Sequence, residues 1–192
     1  MSAPRLERAL TLVLSLTVLD CAYLSWRFLA LKADLVAPGT GLCSWSAWID
    51  CDRVLSTPQA RAFFVPNATL GLGFFLGCLL WWTLGRRVLD ARYRPYVTGA
   101  LAFWLVVASA FTLRFWWLLV HLDHLCPFCP WNHLWTWVAT ALALVVWRRT
   151  PAPTGPAPPP APLALLVAGC VTQLFVWQAL WWAGVQAGAL RP

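Results

Sequence analysis

Charge is what this chain has least of. Asp, Glu, Lys and Arg make up 11% of its 192 residues, against 60% hydrophobic residues and 15 tryptophans, which is too little charge to cover a water-soluble globule of this size. The scarcity excludes a soluble domain. Membrane helices follow, because the apolar residues gather into runs long enough to cross about 30 Å of hydrocarbon at about 1.5 Å per helical residue. A basic face interleaved with aromatics is also missing: the formal charge of +7 comes from bases that are nearly all Arg beside apolar runs. That excludes nucleic acid as partner and leaves membrane lipid. The first apolar run lacks a small-residue cleavage site, so a retained helix is expected and not a signal peptide. Neither an inverted repeat nor paired broken helices are evident, which argues against a transporter.

Five apolar runs are present, at about 10–30, 70–89, 98–120, 130–147 and 163–185. The loop 31–67 holds Cys43 and Cys51, and the short turn between the third and fourth runs holds Cys126 and Cys129. Arg5, Arg8, Arg86, Arg87, Arg92, Arg94, Arg148 and Arg149 fall on one side with two acids, whereas the other side has six bases against five acids. The positive-inside rule then places the N-terminus in the cytoplasm of a plasma or inner membrane. Both cysteine-bearing connections and the C-terminus face outward, where disulfides persist. Residues 150–162 (TPAPTGPAPPPAP) cannot form a helix, because proline lacks the amide donor and fixes φ. The expected organisation is a four-helix core over 1–149, a cytoplasmic linker over 150–162, and a fifth helix with a short outward tail over 163–192. The fold class is all-α: a four-helix transmembrane bundle plus a fifth transmembrane helix.

Of the seven cysteines, Cys21, Cys78 and Cys170 lie inside apolar runs and are read as small hydrophobes. Cys43, Cys51, Cys126 and Cys129 lie at the outward interface, where a soluble thiol and a lipid-soluble quinone can both reach them. Cys126-Pro127-Phe128-Cys129 stands where the fourth long helix begins, so unpaired backbone amides and the positive end of the helix dipole can stabilise a thiolate, the reactive form. A first-turn proline suits that place. The competing use of the four sulfurs is a zinc site in a non-enzymatic membrane scaffold. Structural zinc sites usually pair two short knuckles, however, and Cys43 and Cys51 are too far apart to form one, so no metal is expected.

Cys43-Ser44, then Asp50-Cys51-Asp52-Arg53-Val54, then Ser56-Thr57, with Cys126-Pro127-Phe128-Cys129 opening a helix, resembles the vitamin K epoxide reductase family, especially its bacterial members. The resemblance covers about 10–147, and the order of motifs is more specific than the CxxC alone. A second disulfide-generating family with four helices places its CxxC in the first outward loop, the reverse of the order here. The fifth run is similar to that of bacterial members with a fused thioredoxin-like domain beyond it, a domain expected to be absent from a chain ending at Pro192.

The resemblance implies a quinone-dependent thiol oxidoreductase supporting disulfide formation, with a quinone of ubiquinone, menaquinone or vitamin K type and a separate thioredoxin-fold (DsbA-like) redox protein as partner. It implies that Cys129 faces the quinone, that Cys126 is its disulfide partner, that Cys51 exchanges with Cys126, and that Cys43 closes a shuttle disulfide with Cys51. Reduction of a quinone or vitamin K epoxide by the same cysteines is the alternative direction. Thr57 matches a family Ser or Thr, with a turn or cap role as competitor, and 52–63 resembles the family's short helix over the pocket. Asn67 matches a quinone-carbonyl donor, with helix capping as competitor. His133 stands where animal members have a quinone-contacting Tyr, and Phe63, Phe128 and Trp131 are candidates for the apolar wall of the pocket. Phe64-Val65-Pro66 departs from the Gly that many bacterial members have there. His121 and His124 are expected to be ordinary interface residues, and the tryptophans to serve packing and interfacial belts. Asp20 and Arg114, each costly to bury alone, are expected either to pair with each other or to be neutralised and solvated separately.

Overall fold

Four long helices make the body of the computed structural model, which describes residues 3–62, 65–152, 156, 158–164 and 166–171. They are α1 (Ala3–Lys32), α3 (Asn67–Val88), α4 (Arg94–Leu119) and α5 (Phe128–Arg149), with a short α2 (Cys51–Ser56) in the loop after α1. α1, α4 and α5 begin before their apolar runs and take in flanking arginines, because Arg is a good helix former. α1, α3 and α4 are long and apolar enough to cross a membrane, and the protein is an all-α membrane protein. α5 matches α3 in length, at 22 residues, and packs among them.

The helices form a ring in which α1 lies between α3 and α5, and α4 closes it against α5 and α3. Leu10, Leu14, Trp82, Val97, Leu101, Leu105, Ala139 and Ala143 fill the centre. Lipid is as apolar as leucine, so close packing and interhelical hydrogen bonds must hold such a bundle. A Cβ on Gly85 would stand 2.9 Å from Val97 Cγ1, so glycine there lets α3 and α4 approach. Trp82 Nε1 donates to Thr11 Oγ1 and Trp81 Nε1 to the Val97 carbonyl, both at 2.9 Å. Trp137 Nε1 donates to Thr112 Oγ1 at 2.8 Å, and the Ser109 and Thr140 hydroxyls share a 2.8 Å bond. At the opposite end from the cysteines, Arg86 pairs with Glu7 and lies over the Trp82 ring.

α1 ends because Asp34 turns left-handed at φ 53°, a region that Asp tolerates. The Leu35 amide then bonds the Ala30 carbonyl at 2.9 Å and the Asp34 amide the Leu31 carbonyl at 3.3 Å, a Schellman closure. The chain returns through α2, a 3-10 turn at Pro58–Ala60, and a two-residue hairpin of β1 (Arg61–Ala62) and β2 (Val65–Pro66) that leads into α3. The helix expected over 52–63 is therefore shorter, since Pro58 cannot continue it.

The loop and the CPFC turn meet at one end of the bundle. Ile49 bridges Leu125, the Asp50 amide donates to the Leu125 carbonyl at 3.0 Å, and the Leu125 amide donates to the Trp48 carbonyl at 2.8 Å. His124 reinforces the seam by donating from Nδ1 to the Ala47 carbonyl at 3.0 Å. The described start of the fifth run is helical, and its Leu163, Leu166 and Cys170 pack on the bundle core. The Tyr93 hydroxyl donates to the Pro159 carbonyl at 2.8 Å beside it. The rest of that run, and Phe63 and Phe64, lie outside the described residues.

Candidate active site

Cys51 is the first residue of α2, fixed by Asp50, whose carboxylate caps the helix by accepting from the Asp52 amide at 3.0 Å. The same carboxylate accepts from Ser44 Oγ at 2.7 Å, which holds Cys43 beside Cys51, and the two are joined in a disulfide. Cys126 precedes α5, and the Cys129 amide donates to its carbonyl at 3.2 Å in the turn that starts the helix. Cys43, Cys51 and Cys126 are each 0% exposed and pack with Leu24, Phe28, Val54, Leu55 and Val65, while Cys129 and Phe128 pack against the same cluster. Cys126 and Cys129 are free thiols. Four sulfurs from two distant parts of the chain thus occupy one apolar nest.

A buried ion pair seats this nest on α1. Arg27 donates from Nε and Nη2 to the two oxygens of Asp52 at 2.8 and 2.7 Å, and from Nη2 to the Ala37 carbonyl and Thr40 Oγ1 at 3.0 and 2.9 Å. Asp52 also accepts from the Gly39 amide at 2.8 Å. The Arg27 guanidinium foremost, with the Gly39 and Gly41 amides, holds the Asp52 carboxyl below the usual carboxylate range. Gly39 has φ +79°, open to glycine at no steric cost. Gly39→Ala is expected to destabilise the loop by about 1 kcal/mol, while Gly39→Asn recovers most of that loss, as read by thermal unfolding of the detergent-purified protein.

Of the other expected site residues, Phe128 packs on Tyr23 with ring centroids 5.2 Å apart. His133 is buried against Phe115 and Trp116, and its Nδ1 has no hydrogen-bond partner among the described residues. Asn67 begins α3 but does not cap it: Nδ2 donates to the Gln59 carbonyl at 2.9 Å, and Oδ1 is buried with no partner among the described residues. Thr57 closes α2, its hydroxyl donating to the Val54 carbonyl at 2.7 Å, and lines an open groove with Pro38, Arg53 and His124. Trp131 is 53% exposed and stacks on Trp135.

Asp20 and Arg114 do not pair. Arg114 is exposed, and Asp20 instead accepts from Asn132 Nδ2 at 2.9 Å, because α1 packs on α5 and not on the exposed face of α4.

A family model described as the vitamin K epoxide reductase family matches residues 8–147, well over half of the chain. The chain belongs to that family. No curated protein and no solved structure matches it significantly. As a member of the vitamin K epoxide reductase family it is a membrane thiol-disulfide oxidoreductase, and the match spans α1 to α5 and includes all four clustered cysteines.

Sequence reasoning missed three residues of this family member's site. Arg27 and Asp52 were legible only as loop-facing charges, although a cation inside an apolar helix is itself a signal. Asn132, one polar residue after the CPFC turn, gave a weaker one.

Proposed function

We propose that the protein oxidises a thioredoxin-fold dithiol protein on the outward face of the membrane and passes two electrons to a quinone, supporting disulfide formation. The observation that carries this is the single nest holding Cys43, Cys51, Cys126 and Cys129 at one end of the bundle. Disulfide exchange needs a thiolate in line with a neighbouring disulfide, and neighbouring pairs in one nest supply the order Cys43, Cys51, Cys126, Cys129. A partner reaches Cys43 only when the loop lifts, since Cys43 is fully buried. A bound quinone supplies a two-electron, two-proton acceptor. Asn67 and His133 fit it, because each has a buried polar atom without a partner among the described residues, and Phe128 offers an apolar wall. The arginines of the α3–α4 turn and of the α1 and α5 ends support a cytoplasmic location for those ends by the positive-inside rule. A zinc scaffold would need four thiolates, and the Cys43–Cys51 bond takes two of them.

The test follows quinol formation from a menaquinone analogue with either a reduced DsbA-like protein or dithiothreitol as donor. Cys129→Ala is expected to lose at least about 10³-fold with both donors, since groups acting as a unit fail together. Cys43→Ala is expected to lose comparably with the protein donor and to retain turnover with dithiothreitol. Equal turnover of Cys129→Ala and wild type would reject the reading.

A further inference from the structure

Asp20 is 9% exposed within α1, where a lone carboxylate is costly. Its Oδ2 accepts from Asn132 Nδ2 at 2.9 Å, and that same nitrogen lies 3.1 Å from Cys21 Sγ. Its Oδ1 is buried with no hydrogen-bond partner among the described residues. A carboxyl serving packing alone is normally satisfied at both oxygens. Asn132 stands three residues after Cys129, on the same face of α5, so its contacts with Asp20 and Cys21 set this part of α1 against the face that carries Cys129.

Two anions on facing helix surfaces in a low-dielectric bundle repel, so ionised Asp20 and a Cys129 thiolate disfavour each other. A proton leaving Cys129 therefore has a natural seat on Asp20. The Asn132 donor keeps the empty seat tolerable by bonding the carboxylate, and the free Oδ1 is the atom left to receive. We propose that Asp20 takes up the proton Cys129 releases as the Cys126–Cys129 disulfide forms and passes it toward the quinone oxygen, an assignment that rests on the quinone reading above. Two S–H bonds break and one S–S bond forms. The two cysteines are oxidised by two electrons and release two protons, and the quinone is reduced to the quinol by the same two electrons and two protons. Asp20 starts and ends as a carboxylate. Other ionisable groups on the elements packed here include Cys21, Tyr23 and Arg27 on α1, Cys78 on α3, Asp52 and Arg53 on α2, and Cys129 and His133 on α5; Cys51 is held in its disulfide and Asp52 by Arg27.

The test compares wild type, Asp20→Asn and Asn132→Ser as purified full-length chains, with two readouts. One is kcat and KM for quinol formation from dithiothreitol and a menaquinone analogue as a function of pH. The other, without quinone, is the rate at which iodoacetamide alkylates Cys126 and Cys129. Asp20→Asn is expected to lower kcat about 10²-fold, the scale of lost proton transfer, with KM for the quinone little changed. Its alkylation at neutral pH should quicken, because the thiolate has lost a charged neighbour. In Asn132→Ser the acid limb of kcat should move to higher pH, since a carboxylate stripped of a donor holds its proton more tightly. A kcat for Asp20→Asn close to that of a quinol-forming wild type overturns the proton role alone, as does a fall in kcat with alkylation unchanged or slowed. A wild type that forms no quinol from the dithiol removes both the quinone reading and this assignment.

Discussion

Replacing Arg27 with methionine is expected to release the outer loop and open its disulfide to small reductants. Both members of the Arg27–Asp52 pair are almost fully buried, with side chains 4% and 2% exposed, so the variant leaves an uncompensated carboxylate under the loop. Breaking such a pair by removing one partner costs about 3 kcal/mol, which corresponds to about 10²-fold in the equilibrium between a seated and a lifted loop. The rate at which a water-soluble phosphine reduces Cys43–Cys51 should rise by about that factor, because both sulfurs are fully buried when the loop is seated. Arg27→Lys should fall between, since an ammonium keeps the charge but loses the two-pronged grip. The pH dependence has a fixed sign. Asp52 has a depressed folded-state pKa, so its contribution is fully present above the ordinary carboxylate range, about pH 4, and is lost as pH falls through the lower folded value. Wild type should therefore keep its loop seated at mildly acidic pH. An Arg27→Met protein with wild-type reduction kinetics would show that the pair does not seat the loop.

The latch also marks where the sequence was readable and where it was not. Helix number and the position of the cysteines at helix ends follow from local chemistry, apolar run length and proline, whereas the break after Ser56 departs from the continuous helix expected to 63, although Pro58 is its physical cause. The meeting of 43–51 with 126–129 depended on both connections lying on one side, which the arginine distribution indicated before any packing was known. Side-chain partners are another matter. Asp20 and Arg114 are the two charges that look most exposed to hydrocarbon in one dimension, yet Arg114 faces outward and Asp20 meets Asn132, 112 positions away. Arg27 sits seven residues from Asp20, two turns along the same helix, and finds its acid in the loop, because the Ala37–Gly41 stretch folds back over it. Such pairings are set by helix rotation and loop path, quantities that periodicity leaves free in a bundle whose lipid and core faces are both apolar. Trp131 illustrates the same limit: next to the CPFC turn in sequence, it is half exposed and stacks on Trp135.

A Cys43→Ser, Cys129→Ser double variant is expected to trap a Cys51–Cys126 disulfide in most of the protein on mild oxidation, read by mass spectrometry of the peptides. Each of the two remaining sulfurs has lost its usual partner, so the only bond left within the nest is the one that links the loop pair to the turn pair. Geometry favours it. Ile49 bridges Leu125 in parallel register, and adjacent extended strands run about 4.8 Å apart. Cys51 is two residues beyond one side of that bridge and Cys126 one beyond the other, which starts their backbones inside the roughly 7 Å that a disulfide spans. In Cys43→Ser, Cys126→Ser, the candidate pair is Cys51 with Cys129. Cys129 has already turned into α5 and points along the face that carries Asn132, so this bond should form slowly or not at all. Equal trapping of both pairs would mean that the loop samples the turn loosely and that electrons have no fixed order of cysteines. Trapping of neither would mean that the nest does not hold in the membrane, and a relay needing contact between the two cysteine pairs would lose its physical basis.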